Sequence, residues 1–261
     1  MKDAYMKRLV RVGRGFLPVL ILLFIVYPVL ELTYGSICVL TVGTITVSCP
    51  LGFLQTSLAS HGLILGLLIP ASAIVVATIL LGRLFCGWIC PAGPIMQRFG
   101  NVHMFRSPVI TRLRAVSSDD KTRAVLLLSV LAASVLLRYP VFCLVCPVGI
   151  IYRNAISLAR YGSIGIDLLF IPMLIFLEGS LTPWCSHICP LGALLSIFSR
   201  KNPIVPAVNK ARCTSCSICE KVCKMKVTLL SGRNLENCSK CLDCSLQCPT
   251  KAIEWKKRAQ A

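Results

Sequence analysis

Apolar residues collect in four stretches, and the segments between them hold most of the charge. The stretches cover about Phe16–Leu32, Leu63–Phe85, Ala124–Leu137 and Ile164–Phe176. A bilayer span takes about 20 apolar residues. The third stretch reaches that length only if Tyr139–Leu144 continue it past Arg138 and Pro140. The pattern predicts four transmembrane helices. Residues 1–15 carry five Lys or Arg, 83–123 carry seven and 200–261 carry thirteen, whereas 35–61 carry none. Residues 138–160 carry only Arg138, Arg153 and Arg160. The preference of basic loops for the cytoplasmic side then places both the N-terminus and the C-terminal segment in the cytoplasm. Loops 33–61 and 138–162 face outward, and 86–122 and 179–261 face inward. The expected location is the cytoplasmic (inner) membrane, with several passes. The basic N-terminus followed by an apolar run imitates a signal peptide, but the run is long and no A-x-A site follows. It reads as a retained first helix.

Composition agrees with that picture. The chain is 56% hydrophobic and 15% charged, against about a quarter charged in soluble domains. A net charge of +18 would suit an anionic partner. Its confinement to the segments between apolar stretches assigns it to membrane orientation instead, so no nucleic-acid partner is expected.

Sixteen cysteines carry the chemistry. Cys213, Cys216, Cys219 and Cys223 form one C-x2-C-x2-C-x3-C run, and Cys238, Cys241, Cys244 and Cys248, followed by Pro249, form a second. This is the bacterial spacing for two [4Fe–4S] clusters, in which the fourth cysteine of each run serves the other cluster. One predicted ligand set is therefore Cys213, Cys216, Cys219 and Cys248, and the other is Cys238, Cys241, Cys244 and Cys223. Lys224 stands where proline usually follows the first run. Zinc is the competing reading of paired C-x2-C motifs, but zinc does not require the triple-plus-one spacing twice. Thiolate ligation places this segment in a reducing compartment.

The other eight cysteines belong to a repeat. Cys-Pro-x-Gly occurs at Cys49, Cys90, Cys146 and Cys189, with the first and third copies offset almost as far as the second and fourth. Each copy has an earlier companion: Cys38, Cys86, Cys143 and Cys185. The upstream chain thus reads as two units (about 16–122 and 123–200) related by a pseudo-two-fold axis along the membrane normal. Proline fits the first turn of a helix, and the glycine allows close backbone approach to a bulky cofactor. Helix N–H groups favour an anionic cluster. Two plus two cysteines at one level give an inner membrane [4Fe–4S] set of Cys86, Cys90, Cys185 and Cys189. The same argument gives an outer set of Cys38, Cys49, Cys143 and Cys146. Disulfides, Cys38–Cys49 with Cys143–Cys146, a thiol relay, or free buried cysteines are the alternatives at the outer level.

The fold expected is an all-α membrane domain of four transmembrane helices (1–204), in two pseudo-two-fold-related pairs. A small α+β bacterial 2[4Fe–4S] ferredoxin domain (205–261) follows it. The stretches Arg83–Pro91 and Trp184–Leu194, with their C-x3-C-P cores, resemble the paired motifs of NapH-type membrane polyferredoxins, which are related to the membrane halves of NosR-type and CcoG-type proteins. That resemblance spans nearly the whole chain. It implies a quinol-dehydrogenase subunit exchanging electrons between a quinone pool and iron–sulfur centres. Cys38, Cys49, Cys143 and Cys146 depart from that family's pattern.

The function expected is an iron–sulfur electron-transfer subunit with four [4Fe–4S] clusters. It would link cytoplasmic clusters through membrane clusters to a quinone or an outward-side partner. Alternatives are a quinol dehydrogenase subunit without a transmembrane conduit, and a redox-sensing regulator or assembly factor. Expected partners are other redox subunits, the lipid bilayer, a quinone and a soluble ferredoxin, with the basic Arg98–Arg123 loop as one docking candidate. Glu31, His61 and Asp167 are candidates for quinol proton transfer, His187 for tuning a cluster, and Trp88 and Trp184 for interface anchors.

Overall fold

The computed structural model describes residues 2–26, 35–36, 39–42, 45–90, 92–94, 120–163, 165–174, 185 and 188–258. Helix α1 (Lys2–Val26) leads to strands β1 (Gly35–Ser36), β2 (Val39–Val42) and β3 (Ile45–Ser48). Helices α2 (Pro50–Ala59) and α3 (Leu65–Leu81) precede a single π-helical turn, Phe85–Ile89. Then come α4 (Asp120–Leu137), α5 (Val141–Val145), α6 (Pro147–Tyr161), a 3-10 turn at Ile166–Leu169 and α7 (Pro190–Ser199). The C-terminal unit holds β4 (Ile204–Val208), α8 (Ile218–Val222), α9 (Asp243–Gln247) and β5 (Ile253–Lys257).

Proline after cysteine decides where three helices begin. Cys49, Cys146 and Cys189 are the extended N-cap residues of α2, α6 and α7, each with proline in the first turn, where the missing N–H costs nothing. Leu51, Leu127, Ala193 and Leu194 form one core cluster, binding the starts of α2 and α7 to α4. Ala92, Ile150 and Leu174 form a second, with Cys90, Cys185 and Cys189 packed against it.

The expected four-helix transmembrane domain needs correction. Among the described residues no helix is long and apolar enough to cross a membrane. Within the described residues each apolar stretch departs from a full apolar span in its own way. Helix α1 has 25 residues, but its first half carries Lys2, Lys7, Arg8, Arg11 and Arg14. Helix α3 stops at Gly82, whose φ of 67° ends it after 17 residues, about 26 Å at 1.5 Å per residue against a hydrocarbon core of roughly 30 Å. Helix α4 spends its first turn on Asp120, Lys121 and Arg123 and ends before Arg138, which has a φ of 50°. The fourth stretch opens as a 3-10 turn containing Asp167. The all-α expectation for the upstream part also fails at residues 35–48. There β1, β2 and β3 form an antiparallel sheet in that order, with Val39 opposite Ser48 and Val42 opposite Ile45.

In the C-terminal unit β4 and β5 pair antiparallel, Ile204 opposite Lys257 and Val208 opposite Ile253, closing the segment on itself. Between them the chain repeats one conformation twice. Helix α8 corresponds to α9, and the left-handed residues match in pairs: Ser215 with Lys240, Ser217 with Leu242, Lys226 with Lys251. Such conformations cost of order 1–3 kcal/mol each for non-glycine residues and persist only where surroundings dictate them. Met225, Val227, Leu229 and Ile253 form the unit's core.

Candidate iron–sulfur site

The left-handed turns serve the thiols. Ser215 N–H donates to Cys213 Sγ at 3.4 Å, and its counterpart Lys240 N–H donates to Cys238 Sγ at 3.4 Å. At the other end of each run, Val227 N–H donates to Cys223 Sγ at 3.4 Å and Ala252 N–H to Cys248 Sγ at 3.3 Å. Backbone donors of this kind favour the thiolate form, which is the form that binds iron.

One surface cavity is lined by Cys213, Cys216, Cys219 and Cys248 together with Val208, Leu230 and Ile253. The spacing rule predicts those four cysteines, including the crossed Cys248. The second set is gathered as tightly: Cys244 feels the charges of Cys241, Cys238 and Cys223. Burial pushes Cys238 up to about 11 and Cys241 up to about 12. Cys248 goes the other way. Burial raises it, but the Thr250 hydroxyl and the Ala252, Thr250 and Lys251 backbone outweigh that and lower it. A buried thiol is neutral at pH 7 unless a metal takes the proton's place, so loading these sites releases protons.

Upstream, the Cys-Pro-x-Gly copies share one local device. Gly52 N–H donates to Cys49 Sγ at 3.2 Å. Gly93, Gly149 and Gly192 turn their N–H groups toward Cys90, Cys146 and Cys189 in the same way. The glycine is required for close approach of the chain itself. A Cβ on Gly149 would sit 2.6 Å from the Cys143 carbonyl oxygen, and one on Gly192 2.7 Å from Arg83 Nη2. Cys90 and Cys189 act on each other and on Cys86 electrostatically, and Cys185 packs against the same core cluster as both. The inner set is therefore brought together.

The outer set is arranged differently from expectation. Cys146 reaches Cys49 and also Cys90 and Cys189, so the two levels meet at this thiol. Cys49 and Cys146 are free thiols, whereas Cys143 is disulfide-bonded. Cys38 lies outside the described residues, as do Glu31, Trp184, His187 and residues 98–119 of the basic loop. Asp167 is held by Arg153, with Nη2 at 3.0 Å and Nε at 3.1 Å, and by Asn154. His61 is exposed.

Sequence reasoning missed what joins the two parts. Trp88, expected at a membrane interface, instead donates from Nε1 to the Lys240 carbonyl at 3.1 Å. Arg14 donates to the Gly87 and Cys241 carbonyls and pairs with Asp243 at 2.9 Å. Arg83 reaches Asn237 and the Cys185 carbonyl. Gly87 lies against the Ser239 carbonyl so closely that a Cβ would collide with it. The second cysteine run is thus seated on the Cys86–Cys90 turn. Arg14 and Arg83 read in sequence as orientation charges. The available signal was that Arg83 interrupts an apolar stretch three residues before Cys86.

These residues fit iron–sulfur clusters: thiols in fours, wrapped by backbone N–H donors and apolar side chains. Among the described residues no three His, Cys, Asp or Glu side chains are grouped to hold a single metal ion.

A family model described as 4Fe-4S binding domain matches residues 63–106, 122–160 and 168–207, so each match takes in one cysteine pair of the repeat. An uncharacterized protein of Methanocaldococcus jannaschii is 32% identical over 70% of this chain and 75% of its own length. The ferredoxin-type protein NapH of Escherichia coli K12 is 29% identical over 84% of the chain and 79% of its own length. The methylamine utilization ferredoxin-type protein MauN of Methylorubrum extorquens is 31% identical over 69% and 61%. No solved structure matches. The chain belongs to the NapH-type polyferredoxin family, and it is a ferredoxin-type electron-transfer protein with a 4Fe-4S binding domain.

Proposed function

We propose that this family member relays electrons between a solvent-facing ferredoxin unit (205–261) and the cysteine sets of its upstream part (1–204), within a larger redox complex. The observation that carries the reading is the docking of the second cysteine run onto the Cys86–Cys90 turn through Trp88, Arg14 and Arg83. Bound clusters supply one-electron transfer. The chain's own residues hold them, exclude water and keep the two sets adjacent. Cys213, Cys216, Cys219 and Cys248 hold the entry site, and Cys238, Cys241, Cys244 and Cys223 hold the relay site. Cys86, Cys90, Cys185 and Cys189 hold the receiving site.

The place of action in this reading is the cytoplasmic membrane, with a quinone or a second redox protein as the far terminus. Support comes from the apolar faces of α3 and α4, where Leu65, Ile69, Val125, Leu128 and Leu136 are each at least 64% exposed. Faces of that kind favour an apolar environment over water. A fourth cluster at Cys38, Cys49, Cys143 and Cys146 belongs to the same proposal. The disulfide at Cys143 favours a second reading there, thiol–disulfide chemistry.

Anaerobically purified full-length protein separates these. About sixteen irons and sulfides per chain supports four clusters, and about twelve supports three with an outer thiol site. Mixing the reduced protein with a quinone analogue tests the far terminus. Reoxidation in one phase with its reduction supports a quinone link, and no reaction leaves a protein acceptor. No iron at all would sink the electron-relay reading and favour a regulator.

A further inference from the structure

Arg83 is among the most completely buried side chains in the protein, at 2% exposure. It follows Gly82, whose left-handed backbone turns the chain out of α3 and presses against the Asn202 side chain. From there the guanidinium enters the space between the two cysteine sets. Its Nη1 approaches the Asn237 carbonyl at 3.5 Å and the Asn237 Oδ1 at 3.3 Å, one residue before Cys238. Its Nη2 approaches the Cys185 carbonyl at 3.5 Å and lies 2.7 Å from where a Cβ on Gly192 would be, three residues after Cys189. Its Nε is buried without a hydrogen-bond partner. Among the described residues no carboxylate pairs with it.

A buried cation without an anion is costly, so the position needs a counter-charge from another source. The contacts around it are long and neutral, too weak to account for a charge held there. Thiolate-ligated iron–sulfur centres on either side are anionic and would supply that counter-charge.

We infer that Arg83 is a positioning residue that sets the reduction potentials of the two facing cysteine sets, Cys238/Cys241/Cys244/Cys223 and Cys86/Cys90/Cys185/Cys189. The inference rests on the proposal that both sets hold clusters. Each gains one electron on reduction and so becomes one unit more negative. A fixed positive charge stabilises that reduced form and raises its potential. Net charge and hydrogen bonding are established determinants of cluster potential. Among the described residues no arginine lines the cavity of the Cys213/Cys216/Cys219/Cys248 set.

The test is a redox titration of the full-length holoprotein, followed by electron paramagnetic resonance, for wild type, Arg83→Gln and Arg83→Lys. Iron and sulfide are counted in each preparation. Arg83→Gln is expected to lower the potentials of both facing sets. The expected size is at least a tenfold change in reduced-to-oxidised ratio at fixed ambient potential, about 59 mV for a one-electron couple. Arg83→Lys keeps the charge and is expected to stay within about threefold of wild type. The Cys213/Cys216/Cys219/Cys248 signal stays unchanged in both. Equal shifts in all signals, no shift in Arg83→Gln, or equal shifts in Gln and Lys variants would overturn the inference. So would equal loss of iron from both variants, which would mark a purely structural role. Wild-type protein lacking iron at either facing set instead overturns the reading beneath it.

Discussion

The two cysteine runs of the C-terminal unit are nearly the same object in different surroundings. Both wrap a short helix, both turn a left-handed residue's N–H onto the first thiol, and both turn a later N–H onto the last. Yet Cys216 in the first run is exposed and its set lines a surface cavity, whereas the second run is seated on the Cys86–Cys90 turn. The same local backbone therefore acquires different surroundings from packing alone. The first run presents a thiol to solvent, and the second run packs against the rest of its own chain.

The most forceful way to break the comparison is to remove one thiol from each site. Cys216→Ser and Cys248→Ser should each remove about four irons and the same spectroscopic signal. Cys244→Ser and Cys223→Ser should remove about four irons from the other site. If Cys223→Ser instead extinguishes the signal that Cys216→Ser does, the crossed assignment is wrong. Gly87→Ala should come next. Its new Cβ meets the Ser239 backbone, which cannot rotate away, so the docked run is displaced at a cost of about 1–3 kcal/mol. Faster proteolytic release of the segment after residue 200, with the Cys213 set's signal intact, is the expected readout.

Arg14→Ala removes a charge-assisted contact to Asp243 whose side chains are 10% and 33% exposed. It should lower stability by about 2 kcal/mol, seen as earlier thermal bleaching of the docked set than of the open one. Trp88→Phe removes one hydrogen bond to Lys240 and should cost about 1 kcal/mol. If neither substitution separates the two bleaching transitions, the difference between the runs does not arise from docking.

The same contrast governs how much could be read from the sequence. The gathering of Cys213, Cys216 and Cys219 around one cavity follows from spacing, because residues a few positions apart on a short helix and turn have little freedom. The starts of α2, α6 and α7 follow for the same local reason, proline after cysteine. The docking does not follow, because Arg14, Arg83 and Trp88 meet residues more than 150 positions away in the chain. Hydropathy summed over a window also misleads. It passes over Gly82, a single residue that ends a helix by backbone conformation. Residues 35–48, read as a loop, are rich in Val, Ile and Thr, and that β preference is what the three-stranded sheet expresses. The repeat groups Cys86, Cys90, Cys185 and Cys189, and these four lie around one core cluster. Cys146 was not foreseen beside Cys90 and Cys189, since the repeat argument kept the two levels apart.

The central claim is that the covered cysteine set is magnetically and electronically adjacent to the Cys86–Cys90 set. Electron paramagnetic resonance of the fully reduced holoprotein tests this directly, because neighbouring paramagnetic centres broaden one another's lines. The expected result is a broadened upstream signal that sharpens in Cys244→Ser and stays broad in Cys216→Ser. An upstream signal that is already sharp in wild type, or that responds equally to both substitutions, would contradict it.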